Sequence, residues 1–290
     1  MESIGIDLGG HTISAALVVD GDIRKRSEIS TPGERSMKAV ADVIALLVNE
    51  LVSSENISGV GIGVPGMLDK KREKVLKMPN FPGWESIEIK AFLSSYLQLP
   101  ISIENDANCY ALGEGTSGLA SGLSDYVVFT LGTGIGGGII SDGRLLKGAH
   151  GMAGEMGHIA AGPYLPRCGC GSFGHIETIS GADGIEKIAR QKGLNPELPV
   201  LWSGRNNYPQ KEIWTQVLDV LARGIASVVH VLDPEMVILG GGMSRSDALL
   251  EEISPFLDSY IAFPYRDSLS IRVSELGNDA AIIGAASLLS

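Results

Sequence analysis

The feature that most constrains the fold is a glycine turn between two strand patterns, which occurs once in each half of the chain. Residues 3–10 are a short apolar segment that ends in a glycine pair, and a second strand pattern follows at 11–19. Residues 125–130 form another strand pattern, followed by the glycine-rich run 131–138 and a strand pattern at 139–141. Two strand–turn–strand units of the same kind predict a duplicated α/β fold.

The same two turns are candidate phosphate sites, because free backbone N–H groups in a glycine turn bind anions. Asp7 lies beside the first turn and is a candidate neighbour of Mg²⁺, with an ordinary hairpin as the alternative. Gly132, Gly134 and Gly137 have the Gly-x-Gly-x-x-Gly spacing, but a strand pattern follows them. That order argues against a Rossmann dinucleotide site, and no Gly-Lys-Ser/Thr of a P-loop is present.

A polar cluster at 103–108, Ile-Glu-Asn-Asp-Ala-Asn, joins a strand pattern at 99–103 to a helix pattern at 107–114. Asp106 is therefore expected at a helix N-terminus, where the helix dipole favours an ionised carboxylate. A carboxylate in that position can accept the proton of an attacking hydroxyl in phosphoryl transfer. The alternative is that Asn105 or Asp106 only caps the helix.

The segment 148–177 carries a candidate metal site. Cys168, Cys170 and His175, together with His158, are ligand types that form a tetrahedral Zn²⁺ site, and a metal-free loop is the alternative. Four protein ligands close the coordination sphere, so zinc in such a site is structural and not hydrolytic.

The same segment carries candidate substrate contacts. Glu155 and His158 are three residues apart and share one face if the segment is helical. With Glu177 they offer hydrogen-bond acceptors for vicinal hydroxyls, which indicates a sugar as the substrate.

Other turns leave alternatives open. Pro65-Gly66 follows a buried strand pattern at 57–64, and ligands of α/β sheets sit at strand ends. The glycines at 240–242 join a strand pattern at 236–239 to a helix pattern at 246–257. They either form a flat surface for adenine or make only a tight connection between the two elements. Trp84 is expected either to stack on a sugar or to pack in the core.

Periodicity predicts the domain organisation. Helices are expected at 36–53, 181–192, 212–232 and 278–289, with a polar loop at 195–209 and a last strand at 269–273. We predict a small α/β domain at 1–113, on which a C-terminal helix at 278–290 packs. A larger α/β domain follows at 114–277, with the zinc loop as an insertion.

Charge and cysteine content narrow the class of protein. The net charge of −11 argues against a nucleic-acid surface. No apolar run is expected to reach the length of a membrane span, and the strand at Ser3 leaves no room for a signal peptide. Three cysteines are a poor disulfide framework, so the cytoplasm is the expected compartment.

Taken together, these motifs resemble those of the ROK family (repressors, open reading frames, kinases), and the resemblance covers nearly the whole chain. The motifs that carry it are Asp7-Leu8-Gly9-Gly10, Gly63-Val64-Pro65-Gly66, the runs 104–108, 131–138, 154–158 and 168–177, and Leu239-Gly240-Gly241-Gly242.

The resemblance implies an α/β fold of the actin/hexokinase type (ribonuclease H-like), with two domains and a cleft between them for ATP and sugar. It implies an ATP-dependent hexokinase that phosphorylates the 6-hydroxyl of glucose and assembles as a homodimer. Kinases for N-acetylmannosamine, N-acetylglucosamine or fructose are alternatives, and polyphosphate stays open as a donor. A sugar-sensing regulator is less expected, because only six residues precede Asp7 and a repressor would carry a helix-turn-helix there.

The resemblance also implies a role for each matching residue. Asp106 is the expected base on the sugar 6-hydroxyl. The expected substrate-binding residues are Gly66, Asn105, Asp106, Glu155, His158 and Glu177. Those expected to bind ATP and Mg²⁺ are Asp7, Gly9, Gly10, Thr12, Gly132, Thr133, Gly134 and Gly241, the last beside the nucleoside. The expected structural zinc ligands are His158, Cys168, Cys170 and His175.

Two positions depart from the family pattern. His175 stands where the family usually has a third cysteine, and imidazole is a competent zinc ligand. His11 stands where the first phosphate turn usually has threonine. Whether the neighbouring Thr12 supplies the missing hydroxyl is left open.

Overall fold

The computed structural model describes residues 2–52, 56–162, 165–246 and 248–289. The chain folds into two compact units. The first consists of 1–124, 138–154 and 275–290, and the second of 125–137 and 155–274. The sequence-predicted domain bounds, 1–113 with 278–290 and 114–277, stay a prediction.

The elements follow one another along the chain. Up to residue 124 they are β1 (Glu2–Leu8), β2 (Thr12–Val19), β3 (Asp22–Ser30), α1 (Met37–Leu51), β4 (Ile57–Val64), β5 (Met67–Leu68), β6 (Val75–Lys77), β7 (Glu85–Ile87), α2 (Ile89–Ser94), β8 (Ile101–Asn105) and α3 (Asp106–Ser117). The later elements are β9 (Tyr126–Leu131), β10 (Ile135–Ser141), β11 (Arg144–Leu145), α4 (Glu177–Ser180), α5 (Ala182–Gln191), α6 (Leu198–Ser203), α7 (Gln210–Leu232), β12 (Met236–Gly240), α8 (Leu249–Tyr260), α9 (Phe263–Arg266), β13 (Ser270–Val273) and α10 (Asp279–Ser287).

The sheet of the first unit has the order β3-β2-β1-β4-β8. β1 is antiparallel to β2 and parallel to β4, and β4 is parallel to β8. Asp7 pairs with Gly63, and Val64 pairs with Asn105. The carboxyl ends of these parallel strands therefore lie at one edge of the sheet, where ligands of α/β proteins bind.

Helix α1 covers one face of this sheet. Ser36 is its N-cap, and its hydroxyl accepts the N–H of Ala39 at 3.3 Å. Ile44, Leu47 and Leu51 recur at helical spacing and are fully buried. The predicted helix 36–53 is confirmed as far as Leu51, and Ser53 lies outside the described residues.

The C-terminal helix α10 packs on the first unit through glycines. A Cβ atom at Gly5 of β1 would lie 1.9 Å from the carbonyl oxygen of Ile282, and one at Gly61 of β4 would lie 1.7 Å from that of Ala285. The helix backbone therefore rests directly on the strands, which only residues without a side chain allow. The predicted helix 278–289 is observed at 279–287; Ser290, at the end of the predicted domain segment, lies outside the described residues.

In the second unit β9, β12 and β13 are neighbouring parallel strands, with β12 in the middle. Phe129 pairs with Leu239, and Thr130 pairs with Gly240. The turn after β9 and the glycines after β12 therefore lie at the same edge of this sheet. The end of β10 and β11 belong to the first unit and form an antiparallel hairpin in which Ile140 pairs with Leu145.

Helix α7 corrects one expectation. Among the described helices it alone has the length and mean hydropathy that crossing a membrane requires, so an apolar run of that length does exist. Its most apolar 18 residues are 56% buried by the rest of the fold. Burial of that extent is typical of a core helix, so α7 is weak evidence for a membrane span.

The structure also corrects several predicted boundaries. α6 lies inside the predicted loop 195–209, and the strands β5 to β7 and helix α2 had no sequence signal. β10 begins at Ile135 rather than at Ile139, so half of the predicted glycine turn is strand. Glycine is normally depleted in strands, but a Cβ at Gly138 would lie 2.5 Å from the Cβ of Ala111. Close packing on α3 therefore selects glycine there.

Candidate active site

Asp106 is the first residue of α3 and directly follows β8, as predicted. Asn105 is the N-cap, since its Oδ1 accepts the N–H of Asn108 at 3.1 Å. The Oδ1 of Asp106 accepts the N–H of Ala107 at 2.8 Å. Capping thus falls to Asn105, and Asp106 adds a carboxylate at the positive end of the helix dipole. Its role as a base stays a prediction.

Asp7 lies at the end of β1 and interacts electrostatically with Asp106. Burial of the Asp7 carboxyl is the main cause that raises its pKa from 3.8 to about 7. The negative charge of Asp106 raises it further, and Arg26 opposes the change. Two neighbouring carboxylates repel each other when both are ionised, and a divalent cation removes this repulsion. Such cations also prefer oxygen ligands. Asp7, with the charge of Asp106 close by, therefore fits the Mg²⁺ predicted beside it.

The first glycine turn is braced from several sides. The N–H of Gly9 donates to the carbonyl of Thr12 at 3.0 Å, and its carbonyl accepts the hydroxyl of Thr31 at 2.7 Å. Arg35 donates through Nη2 to the carbonyl of Gly10 at 2.8 Å. The N–H of Gly9 is thus used within the turn. In the described part of the chain the N–H groups of Gly10 and His11 stay available to an anion.

The second glycine turn is tied to the start of α5. The carbonyls of Gly132 and Thr133 accept the N–H groups of Ala182 and Asp183 at 2.9 and 3.1 Å. The N–H of Gly132 donates to the carbonyl of Gly134 at 3.0 Å. These bonds hold the turn in one shape, which an anion site built from backbone groups requires.

Glu177 lies against this turn. Its Oε2 accepts the N–H of Ile135 at 3.1 Å, and a Cβ at Gly134 would lie 2.3 Å from the same oxygen. A side chain at position 134 would therefore displace the Glu177 carboxylate from its present place against the turn. The structure thus brings a predicted sugar-binding carboxylate next to a predicted phosphate-binding turn.

Glu155 and His158 also approach each other, although the segment between them is a 3₁₀ turn at Met156–His158 and not an α-helix. The Nε2 of His158 lies 3.9 Å from Oε2 of Glu155. Burial raises the pKa of Glu155 above 4.5, the charge of Glu177 adds to this, and His158 opposes it. The predicted trio Glu155, His158 and Glu177 is therefore electrostatically coupled within the second unit.

Gly241 follows β12 in a left-handed conformation, with φ of 85°. A Cβ there would lie 2.5 Å from the carbonyl oxygen of Leu131. The hydroxyl and N–H of Ser244 both donate to the Gly241 carbonyl. These contacts fit a tight connection between strand and helix, and the contact with a nucleoside stays a prediction. Gly66, after β4, has a carbonyl that accepts Nδ2 of Asn105 at 3.3 Å.

His158, Cys168, Cys170 and His175 form one cluster, in which the candidate ligand atoms all lie within 4.8 Å of one another. The Nδ1 atoms of His158 and His175 are 2.9 Å apart, and Sγ of Cys170 is 3.5 Å from Nδ1 of His175. A tetrahedral site with metal–ligand bonds of about 2.0–2.3 Å places its ligand atoms about 3.3–3.8 Å apart. The distance between Cys170 and His175 lies in that range, and the two imidazole nitrogens lie closer together, so the cluster fits Zn²⁺ once the imidazoles move slightly apart. His175 occupies the place of the family cysteine.

A tight loop presents these ligands. The N–H of Cys168 donates to the carbonyl of Ser172 at 2.8 Å, and the N–H of Gly171 donates to the carbonyl of Cys168 at 2.9 Å. Gly171 and Gly174 have φ values of 100° and 85°, which favour glycine. His175 is then held by a bridge to Ala160. The cysteines form no disulfide.

Two residues near Asp106 were missed by the sequence analysis. Arg72 and Lys147 both pair with the carboxylate of Glu104, which is fully buried. The available signal was Glu104 itself, a charged residue directly after an apolar strand pattern, because a charge that the strand buries needs a partner. Trp84 is buried in the core and donates through Nε1 to the carbonyl of Arg35, so it packs and does not present a stacking face.

Comparisons with known proteins agree with the geometry. The profile of the ROK family matches residues 3–290. A glucokinase of Thermotoga maritima is 34% identical over 100% of this chain and 97% of its own. An N-acetylmannosamine kinase of Salmonella typhimurium is 32% identical over 99% of this chain and 98% of its own. The crystal structure of a ROK family glucokinase from Streptomyces griseus, in complex with glucose and AMPPNP, superposes with a TM-score of 0.85 at 30% identity and covers 99% of both chains. The predicted fold class is thereby confirmed.

Proposed function

The chain belongs to the ROK family, and from this premise we propose that it is an ATP-dependent sugar kinase. The reaction is transfer of the terminal phosphoryl group of ATP to the 6-hydroxyl of a hexose, with glucose as the preferred sugar. The observation that carries the proposal is the carboxylate of Asp106 at the N-terminus of α3, beside Asp7 at the carboxyl edge of the sheet.

In this mechanism Asp106 accepts the proton of the 6-hydroxyl as the oxygen attacks phosphorus. The N–H groups of Gly10 and His11, and the turn at Gly132, Thr133 and Gly134, stabilise the phosphate charge from fixed positions. Asp7 would hold Mg²⁺, and the ion would supply neutralisation of phosphate charge. Thr12 and Gly241 complete the proposed nucleotide contacts.

The proposed sugar contacts form two groups, each described within its own unit. In the first unit Asn105 and Gly66 lie beside Asp106, joined by their own hydrogen bond. In the second unit Glu155, His158 and Glu177 offer coupled acceptors for sugar hydroxyls. A zinc ion at the His158 cluster is proposed as structural, since four protein ligands leave no open position.

Glucose is supported by the Thermotoga maritima glucokinase, which is 34% identical to this chain. N-acetylmannosamine is the second candidate, since the Salmonella typhimurium kinase is 32% identical over nearly the same length. The cytoplasm as compartment and a homodimer as assembly are also proposed.

A panel of sugars tests the proposal. Glucose, N-acetylmannosamine, N-acetylglucosamine and fructose are each compared by kcat/KM with ATP, and glucose is repeated with polyphosphate. We expect the highest kcat/KM for glucose with ATP. A higher value for N-acetylmannosamine would overturn the choice of sugar and keep the kinase. No turnover with any of the sugars would overturn the kinase.

A further inference from the structure

The side chain of Glu104 is fully buried in β8 and is nevertheless surrounded by donors from three chain segments. Its carboxylate accepts the N–H of Asn105 at 2.9 Å and Nδ2 of Asn108 at 3.1 Å. The Nε of Arg72 lies at 2.8 Å, and Nζ of Lys147 at 3.0 Å. All of these residues belong to the first unit.

The two cations reach Glu104 from separate loops. Arg72 is buried, and its backbone lies in the left-handed region, with φ of 59°. Its Nη1 donates to the carbonyls of Asp69 and Gly151 at 3.0 and 2.8 Å. Lys147 is 42% exposed at its side chain and approaches from the solvent side. Arg72 and Lys147 thus fasten the loop 147–151 to the strand that precedes Asp106. That loop continues along the chain into Glu155.

The contacts of Glu104 lie on both sides of Asp106. Asn105 directly precedes Asp106, and Asn108 lies two residues after it in the first turn of α3. Both donate a hydrogen bond to the carboxylate of Glu104. Asn105 in addition accepts the N–H of Asn108 at 3.1 Å. The backbone around Asp106 therefore cannot shift without breaking hydrogen bonds to a buried carboxylate, which are costly to lose.

From these contacts we propose that Glu104 is a positioning residue for Asp106, with Lys147 and Arg72 holding Glu104 in turn. The inference rests on the proposed function, in which Asp106 is the base. Glu104 touches neither substrate nor phosphate in this role. It acts by keeping the base in one place, and phosphoryl transfer depends strongly on such placement.

Lys147→Met is the first test, because Lys147 is half exposed and its loss leaves Arg72 to pair with the buried carboxylate. Hydrogen exchange of the peptides that cover 104–110 and 147–153 is followed by mass spectrometry. We expect exchange in both peptides to rise by about tenfold, since one carboxylate anchors both segments. Lys38→Met, which removes an exposed lysine paired with Asp42, is the matched control and is expected to leave both peptides unchanged.

Kinetics give the second readout. With the preferred sugar, Lys147→Met is expected to lower kcat by about tenfold and to change KM by less than about threefold, because base placement acts in the transition state. Lys147→Arg is expected to restore kcat to within about twofold, as its guanidinium reaches the same carboxylate. Glu104→Gln, where it folds, is expected to lower kcat by about a hundredfold.

Three outcomes would overturn the inference. One is unchanged exchange at 104–110 in Lys147→Met. Another is a lower Tm of Lys147→Met with an unaltered kcat at temperatures where it is fully folded, which would mean a structural role only. The third is no rescue by Lys147→Arg. If the wild-type protein phosphorylates no sugar, the proposed function fails, and the exchange experiment still decides whether Glu104 holds the Asp106 segment.

Discussion

At the scale of single residues, two carboxylates at one sheet edge have different environments. Asp106 lies at the positive end of α3, which favours its ionised form. Asp7 is buried and close to that charge, and its pKa is raised to about 7. This difference fits two separate roles. Asp106 accepts a proton, whereas Asp7 binds a cation, whose charge keeps the Asp7 carboxylate fully ionised.

Asp106→Asn tests the proposed base. We expect kcat to fall by about a hundredfold or more while the dissociation constant for the sugar stays within a few-fold, because the amide keeps the shape and loses the proton acceptor. Turnover is measured with the preferred sugar and binding by calorimetry. Asp22→Asn, at an exposed residue of β3, is the control. Equal turnover of Asp106→Asn and wild type would contradict the role.

Asp7→Asn tests the raised pKa through stability. Between pH 3.8 and about 7 the unfolded chain has released a proton that the folded protein keeps, so wild-type stability falls as the pH rises through this window. The difference of about three pKa units corresponds to at most about 4 kcal/mol. Asn carries no such penalty. We therefore expect Asp7→Asn to have the larger free energy of unfolding at pH 8, by up to about 4 kcal/mol. This difference between variant and wild type is expected to vanish towards pH 4.

Urea unfolding without added magnesium, at pH 4, 6 and 8, measures the gap between Asp7→Asn and wild type. A gap that does not grow with pH would contradict the burial of an ionisable carboxyl at this position.

At the scale of elements, the loop 168–175 is stabilised by few contacts apart from its turn hydrogen bonds and its candidate metal ligands. Apolar burial is small there, because Phe173 is 63% exposed and Cys170 is exposed. A loop of this kind gains much of its stability from a bound metal, which links metal affinity to folding.

His175→Ala tests the histidine ligand. We expect the variant to lose zinc and His175→Cys to keep it, because thiolate and imidazole are both good zinc ligands. Zinc content is measured by elemental analysis, and Tm is compared with and without a chelator. Removal of zinc is expected to lower the Tm of wild type and to leave that of His175→Ala nearly unchanged. Full zinc occupancy in His175→Ala would exclude this residue as a ligand.

The contact between α10 and the first sheet depends on glycines that offer no room for a side chain. Gly61→Ala would place a Cβ 1.7 Å from the carbonyl oxygen of Ala285, so the helix must move away. We expect a loss of about 3 kcal/mol or more in the free energy of unfolding, as for severe overpacking of a core. Gly33→Ala, where no atom lies within 4 Å of the new Cβ, is the matched control and should change it by less than about 1 kcal/mol. Equal stability of the two variants would contradict the contact.

At the scale of the whole molecule, the sequence predicted most of the strands that build the candidate site and the clustering of the candidate metal ligands. Alternating or continuous apolar runs identified β1, β2, β4 and β9, and the polar run 104–108 located the start of α3. Cys168, Cys170 and His175 were recognised from their residue types, and the structure brings them together with His158.

Other features could not be predicted, because they depend on contacts between segments that are distant in the chain. The strand character of Gly138 follows from its approach to Ala111, and the pairing of Glu104 with Arg72 joins residues 32 apart. Short elements such as α6 and the strands β5 to β7 have too few residues for a period to be seen.

A chain that stops at residue 274 tests how far the first unit depends on its last segment. This variant lacks α10, whose removal exposes the apolar and glycine surface of β1 and β4. We expect it to lose protection from hydrogen exchange throughout the sheet of the first unit, and to regain it when the peptide 275–290 is added. Unchanged protection in the truncated chain would contradict this dependence.

The backbone seat of α10 on Gly5 and Gly61 also has a consequence for biosynthesis. Strands β1 and β4 acquire α10 as their neighbour only after the ribosome has also synthesised residues 279–287, which lie far along the chain from both strands. Until then the surface of β1 and β4 around Gly5 and Gly61 is exposed on the nascent chain. Chaperones that bind such intermediates can act during the whole of this interval.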